Sequence, residues 1–161
     1  MNFTIWKTIK LGVRKTPDAY RQSILAQKNR IYIYADQILN KVTVFPTETE
    51  IDLAIVTVAD LGFKRATRYD VICKRIVEIG AQLCPNEVGP ALRDQYLYQP
   101  SGEYNAIVIA MESLTVSEGN LRIFILLGDH SWQWLSTCNG DPGDMWGPDF
   151  RFVVAVPRKQ A

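Results

Sequence analysis

The chain has one histidine, His130, in the run Gly128-Asp129-His130-Ser131-Trp132-Gln133-Trp134, between an acidic turn and two tryptophans. Histidine is the side chain whose ordinary pKa lies nearest neutrality, so proton transfer, nucleophile activation and zinc chemistry draw on it. A single imidazole excludes any mechanism that needs two. Three cysteines, Cys73, Cys84 and Cys138, are too widely spaced for a Cys-x-x-Cys pair. A hydrolase would have to gather Glu112, Asp129 and His130 around a divalent metal held by the loop Cys138–Asp149, where Asp141, Asp144 and Asp149 alternate with three glycines and two prolines. That loop fails the EF-hand register, and Gly, Pro and Asp together are ordinary turn chemistry. Neither G-x-G-x-x-G nor G-x-x-x-x-G-K occurs, so no phosphate loop is present. The pattern therefore specifies no catalytic residue, no metal and no cofactor, and the expectation leans away from an enzyme.

Aromatic residues offer more. If extended backbone starts at His130, then His130, Trp132 and Trp134 share one face of a strand, and Trp146 on the following loop can join them. Such a platform suits a sugar, a base or a partner's side chain; indoles also make good core, so burial of one or two is the competing expectation. Cys84-Pro85-Asn86-Glu87-Val88-Gly89-Pro90-Ala91-Leu92-Arg93 rigidifies the chain just before a helix start, where free amides and Arg93 could receive an anion. The plainer reading is a tight connector in which Glu87 and Asp94 cap the helix or face water. Cys84 becomes a reactive thiol only if that helix end or an arginine lowers its pKa.

Charge is unevenly spread. Residues 1–41 hold eight basic side chains against two acidic ones, a net of +6, whereas the remainder holds ten basic and fifteen acidic groups, a net of −5. Lys10, Arg14, Lys15, Arg21, Lys28 and Arg30 could therefore grip phosphates, which makes nucleic-acid binding the alternative to protein binding. Solvated helix faces explain the same distribution.

The elements that would position these groups follow from periodicity and breakers. Phe3, Ile5, Ile9 and Leu11 fall on one side of a first strand that ends at Gly12. Thr16-Pro17-Asp18 starts a helix over about 17–28. Residues 31–40 are ambiguous and favour a short helix; residues 42–50 form a connector into a strand over 51–58. Thr67-Arg68-Tyr69-Asp70 resembles a capping box, followed by helical spacing of Tyr69, Ile72, Cys73 and Ile76 up to Gly80. A further helix runs from near Pro90 to Tyr96; the connector before it, 81–89, is too long for a DNA-reading helix-turn-helix. Strands are expected over 104–112, 121–127, 132–135 and 150–156. Helices thus concentrate in residues 13–100 and strands toward the end, giving an α+β fold with a mostly antiparallel C-terminal meander, in one domain spanning 1–161.

Ala59-Asp60-Leu61-Gly62-Phe63, Cys84-Pro85-Asn86-Glu87-Val88-Gly89-Pro90 with Leu92-Arg93, and Ile109-Ala110-Met111-Glu112 resemble small bacterial proteins of unknown function, mainly across residues 51–112. The resemblance implies a bacterial, cytoplasmic origin and carries over no activity. No apolar run spans a bilayer and no secretory leader is legible, which agrees with that expectation. The combined reading is a non-catalytic binding protein that engages a protein partner, with room for self-association, through Trp132, Trp134, Trp146, His130 and Arg93.

Overall fold

Alternation of apolar and polar residues in Lys7–Leu11 makes β1, which turns Ile9 and Leu11 into the core. The chain then turns at Gly12, whose φ of +74° suits glycine. A Cβ there would also collide with the carbonyl oxygens of Phe45 and Thr47, which pass directly over it. Thr16 caps α1 (Pro17–Ala26) by accepting a hydrogen bond from the Ala19 amide at 3.0 Å, and Tyr20 and Ile24, four residues apart, bury the same face. Next come β2 (Asn29–Ile31), α2 (Ile33–Leu39), β3 (Thr49–Thr57), β4 (Thr67–Arg68), α3 (Tyr69–Glu78) and α4 (Val88–Gln95). Then follow β5 (Ile107–Ile109), β6 (Leu114–Thr115), β7 (Leu121–Gly128), β8 (Gln133–Asn139), β9 (Met145–Trp146) and β10 (Arg151–Val156). This is a computed structural model, and it describes residues 1–158.

Eight strands form one sheet in the order β1-β3-β10-β5-β7-β8-β2, with β6 hydrogen-bonded to β7; β4 and β9 form a separate ribbon. The α+β class and the mostly antiparallel pairing agree with the sequence reading, with two refinements. Parallel pairs join β5 to β10 and β2 to β8, and the N-terminal strands β1 and β3 extend the same sheet, so it is not confined to a C-terminal meander. The expected strand over 104–112 shrinks to Ile107–Ile109, fully buried, because residues 103–105 wind into a 3-10 turn. The expected capping box does not form. Thr67 and Arg68 pair with β9, α3 begins without a side-chain cap, and the Tyr69 and Asp70 amides donate to the carbonyls of Asp144 and Pro142. The loop 138–149 thus closes the start of α3.

Pleating assigns the two faces. Phe124 and Leu126 of β7 point to an inner face covered by α1, α2 and α4. Ile123, Ile125 and Leu127 point to the outer face, in register with Cys138, Ser136 and Trp134 of β8. On that face α3 lays Tyr69 over Phe152, ring centroids 6.2 Å apart, and Trp146 packs edge-on against Phe152 and Phe150. The Tyr69 hydroxyl donates to the Met111 carbonyl at 2.5 Å and accepts from the Met111 amide at 3.0 Å, so one side chain serves both backbone groups just past β5.

Candidate functional site

Three charged residues lie buried around α4, and they do not meet the histidine. Glu87 precedes the helix and accepts hydrogen bonds from the Gly12 amide (2.6 Å), the Tyr20 hydroxyl (2.5 Å) and the Phe45 amide (2.7 Å). Those donors come from three separate segments, so this carboxylate ties the β1 turn, α1 and the 42–48 connector to α4. Asp94 takes Arg14 (3.1 Å), Ser23 (2.5 Å) and Gln27 (2.8 Å), which clamps α1 against α4. Both acids are buried. The reading of Glu87 and Asp94 as capping or solubilising residues is therefore corrected: they are internal fasteners, and the start of α4 holds its own carboxylate beside it.

Arg93 points the other way. Its guanidinium donates to Gln99 Oε1 (2.6 Å), Gln133 Oε1 (2.6 Å), the Tyr96 carbonyl (2.6 Å) and the Trp134 carbonyl (3.3 Å). All four acceptors are neutral, and among the described residues Arg93 forms no ion pair. Burial pulls its pKa down to about 10, which still leaves it charged at neutral pH. Arg93 thus underlies β8 rather than joining an exposed site.

The His130 turn connects β7 to β8. Asp129 organises it, accepting from the Trp134 indole (3.0 Å) and from the amides of Ser131 (2.8 Å) and Trp132 (2.7 Å). The indole and the two amides hold its carboxyl below the ordinary carboxylate range. Trp132 is half-buried, and Arg30 of β2 lies over its ring at 3.9 Å from the centroid. His130, Trp132 and Gln133 line a cleft of about 450 Å³ with the Gln27–Asn29 segment, Leu97 and Tyr98. Trp134 reaches the same turn only through its bond to Asp129. Trp146 is elsewhere: it is 7% exposed, on the outer face against Phe150 and Phe152, with an indole N–H that finds no partner among the described residues.

The basic N-terminal residues divide. Arg21 is paired with Asp36 at 2.5 Å and Asp18 at 3.0 Å, Arg14 with Asp94, and Lys15 donates to the Gly12 carbonyl. Lys10 is exposed and its backbone is held on both sides by the Gln95 amide. Lys28 lines the His130 cleft and Arg30 flanks it through Trp132. Half of the apparent positive patch is thereby neutralised or internally committed.

Glu112 lines two clefts near Ser113 and Leu83, beside the start of β7, whereas Asp129 and His130 follow its end. A strand of that length separates them by roughly 20 Å. No group of three or more metal-binding side chains occurs among the described residues. Desolvation raises the pKa of every thiol, Cys138 to about 12 and the fully enclosed Cys84 further, so neither the start of α4 nor an arginine activates Cys84.

A second concave region lies on the outer face beyond the reach of α3. Val108, Ile125, Leu127 and Phe150 line a groove of about 430 Å³ together with Tyr104, whose ring is 89% exposed. Glu103 and Asp149 stand at its margin without an ion pair among the described residues, and Arg151 is turned onto the Tyr104 carbonyl at 3.3 Å. Sequence reasoning placed the exposed aromatics at Trp132, Trp134 and Trp146 and missed this groove. Tyr104 and Phe150 were read there as the ends of strands; the 3-10 turn and the strand boundary at Arg151 set them free.

No protein-family model, curated protein or solved structure matches this chain. Among the described residues no helix is long and apolar enough to cross a membrane.

Proposed function

We propose that this protein acts by recognition, docking a protein partner on the open outer face of its C-terminal sheet. The observation that carries the reading is the groove between Tyr104, Leu127 and Phe150: it keeps large apolar side chains in water on a sheet whose other face is sealed by three helices. Interfaces concentrate their energy in a few aromatic anchors ringed by polar groups, and this groove has that make-up. The free carboxylates of Glu103 and Asp149 favour a partner that sets a basic group beside an apolar side chain. The expected contact surface thus stays on the C-terminal sheet and moves from the Trp146 loop to the groove next to it.

Quantitative affinity capture with the wild-type chain, Tyr104→Asp, Phe150→Ser and the distant control Arg158→Ala tests this. The expected result is a partner retained by wild type and Arg158→Ala and lost by both groove variants. A partner retained equally by all four chains would place recognition elsewhere.

A further inference from the structure

The His130 cleft holds two features that the docking reading leaves without a purpose. Asn29 is 5% exposed and lines the cleft, yet its side-chain amide makes no hydrogen bond with any described residue. That amide is not enclosed away from solvent: it opens onto the water of the cleft, where a ligand group can take the water's place. Beside it, Lys28 is the one non-glycine among the described residues with a positive φ, +60°. It stands one residue past the helical cap Gln27, where glycine or asparagine is the low-energy choice. The chain therefore accepts backbone strain to keep a lysine at the cleft margin.

The electrostatics point the same way. Arg93 lies behind the cleft wall, its charge met only by neutral oxygens, and Gln133 links it to the lining by a 2.6 Å bond. Lys28 and His130 stand at the opening. The one acid there, Asp129, already accepts three hydrogen bonds. A cleft of this kind favours an anion. Its walls also carry two flat rings: Tyr98, 88% exposed, and Trp132, whose ring is held by Arg30. Exposed rings stack on planar bases, and an asparagine amide can pair with a base edge that offers both a donor and an acceptor.

We infer that the cleft between Lys28, Asn29, Tyr98, His130 and Trp132 binds a nucleoside monophosphate, with its base against Tyr98 or Trp132 and the Asn29 amide, and its phosphate toward Lys28 and His130. The volume fits one such ligand, within the range of small-molecule sites. A free mononucleotide and the end of a single strand share this chemistry, and the size of the cleft favours the free form.

Calorimetric and tryptophan-fluorescence titrations with AMP, UMP, adenosine, inorganic phosphate and a single-stranded hexanucleotide test it, using wild type, Asn29→Ala, Lys28→Gly and the distant control Arg158→Ala. At least one monophosphate is expected to bind about tenfold more tightly than adenosine or phosphate, and both cleft variants to lose about tenfold while the control does not. Lys28→Gly should at the same time raise Tm by about 2–4 °C, because glycine relieves the strained φ; loss of binding in a more stable protein separates a ligand role from a structural one. The proposal is overturned if no monophosphate saturates the cleft at millimolar concentration or if phosphate alone binds as tightly. It is also overturned if the hexanucleotide binds far more tightly than every monophosphate, or if the cleft variants bind like wild type. Each of these results leaves partner docking on the outer face untouched.

Discussion

The two faces of one sheet handle polar groups and apolar groups in opposite ways. On the inner face, three helices cover the strands, and the charged groups enclosed there are bonded to several donors or acceptors each: Glu87 to three donors, Asp94 to three, Arg93 to four acceptors. On the outer face, α3 and the 138–149 loop cover only the part around Phe152, and Tyr104 and Phe150 remain in water beyond them. Sealing charge costs free energy and fixes geometry, whereas leaving rings exposed forgoes burial that folding could have gained. The inner face is thus built for stability, and the outer face retains unused apolar surface.

The largest expected break in this contrast is Glu87→Ala. It strands the Gly12 and Phe45 amides and the Tyr20 hydroxyl without an acceptor, a loss of about 3 kcal/mol or more, read as a lower midpoint in urea unfolding. Gly89→Ala comes next. Gly89 of α4 lies directly on the Phe124 ring, so a methyl group there must push the helix off the inner face at a cost of about 1–3 kcal/mol by the same measurement.

Alkaline pH sharpens the comparison by acting on both faces. Burial, then the Glu87 carboxylate, raises the pKa of Tyr20, and burial raises that of Tyr69. A phenol whose pKa is higher folded than unfolded contributes stability that is complete below its unfolded value of about 10 and is lost as pH rises beyond it. Thermal unfolding should therefore stay level up to about pH 10 and drop above it, with a shallower drop in Tyr20→Phe. The absorbance of tyrosinate should show two of the seven tyrosines titrating only with unfolding. The smallest effect is expected from Tyr104→Ser, within about 0.5 kcal/mol of wild type, because that ring is almost wholly in water.

Local signals in the sequence marked some of these elements well. Thr16-Pro17 and Gly80 carry their own backbone chemistry, so the start of α1 and the end of α3 were legible. Strand β2 was not, since three residues, Asn29–Ile31, become a strand only by pairing with β8 about a hundred residues away. Thr67-Arg68 likewise obeyed a distant strand instead of the local capping pattern. At the sites, His130 and Trp132 line one cleft, but on a turn whose Asp129 and Ser131 line it too, because extended backbone begins only at Gln133; Trp146 is drawn into the core by Phe150 and Phe152. Burial of Glu87 had no local signal, because a carboxylate is ordinarily exposed and its three donors come from other segments. Asn29 carried no signal, and Lys28 was legible only as one of six basic residues, for a related reason: an amide turned to a cleft and a positive φ are properties of coordinates, not of residue types.

Hydroxyl-radical footprinting of the chain, alone and bound to its captured partner, tests the central claim most directly. Tyr104, Leu127 and Phe150 should be oxidised in the free protein and protected in the complex, with Tyr98 and Trp132 unchanged. Protection at Tyr98 and Trp132 with the Tyr104 groove still reactive would contradict the account.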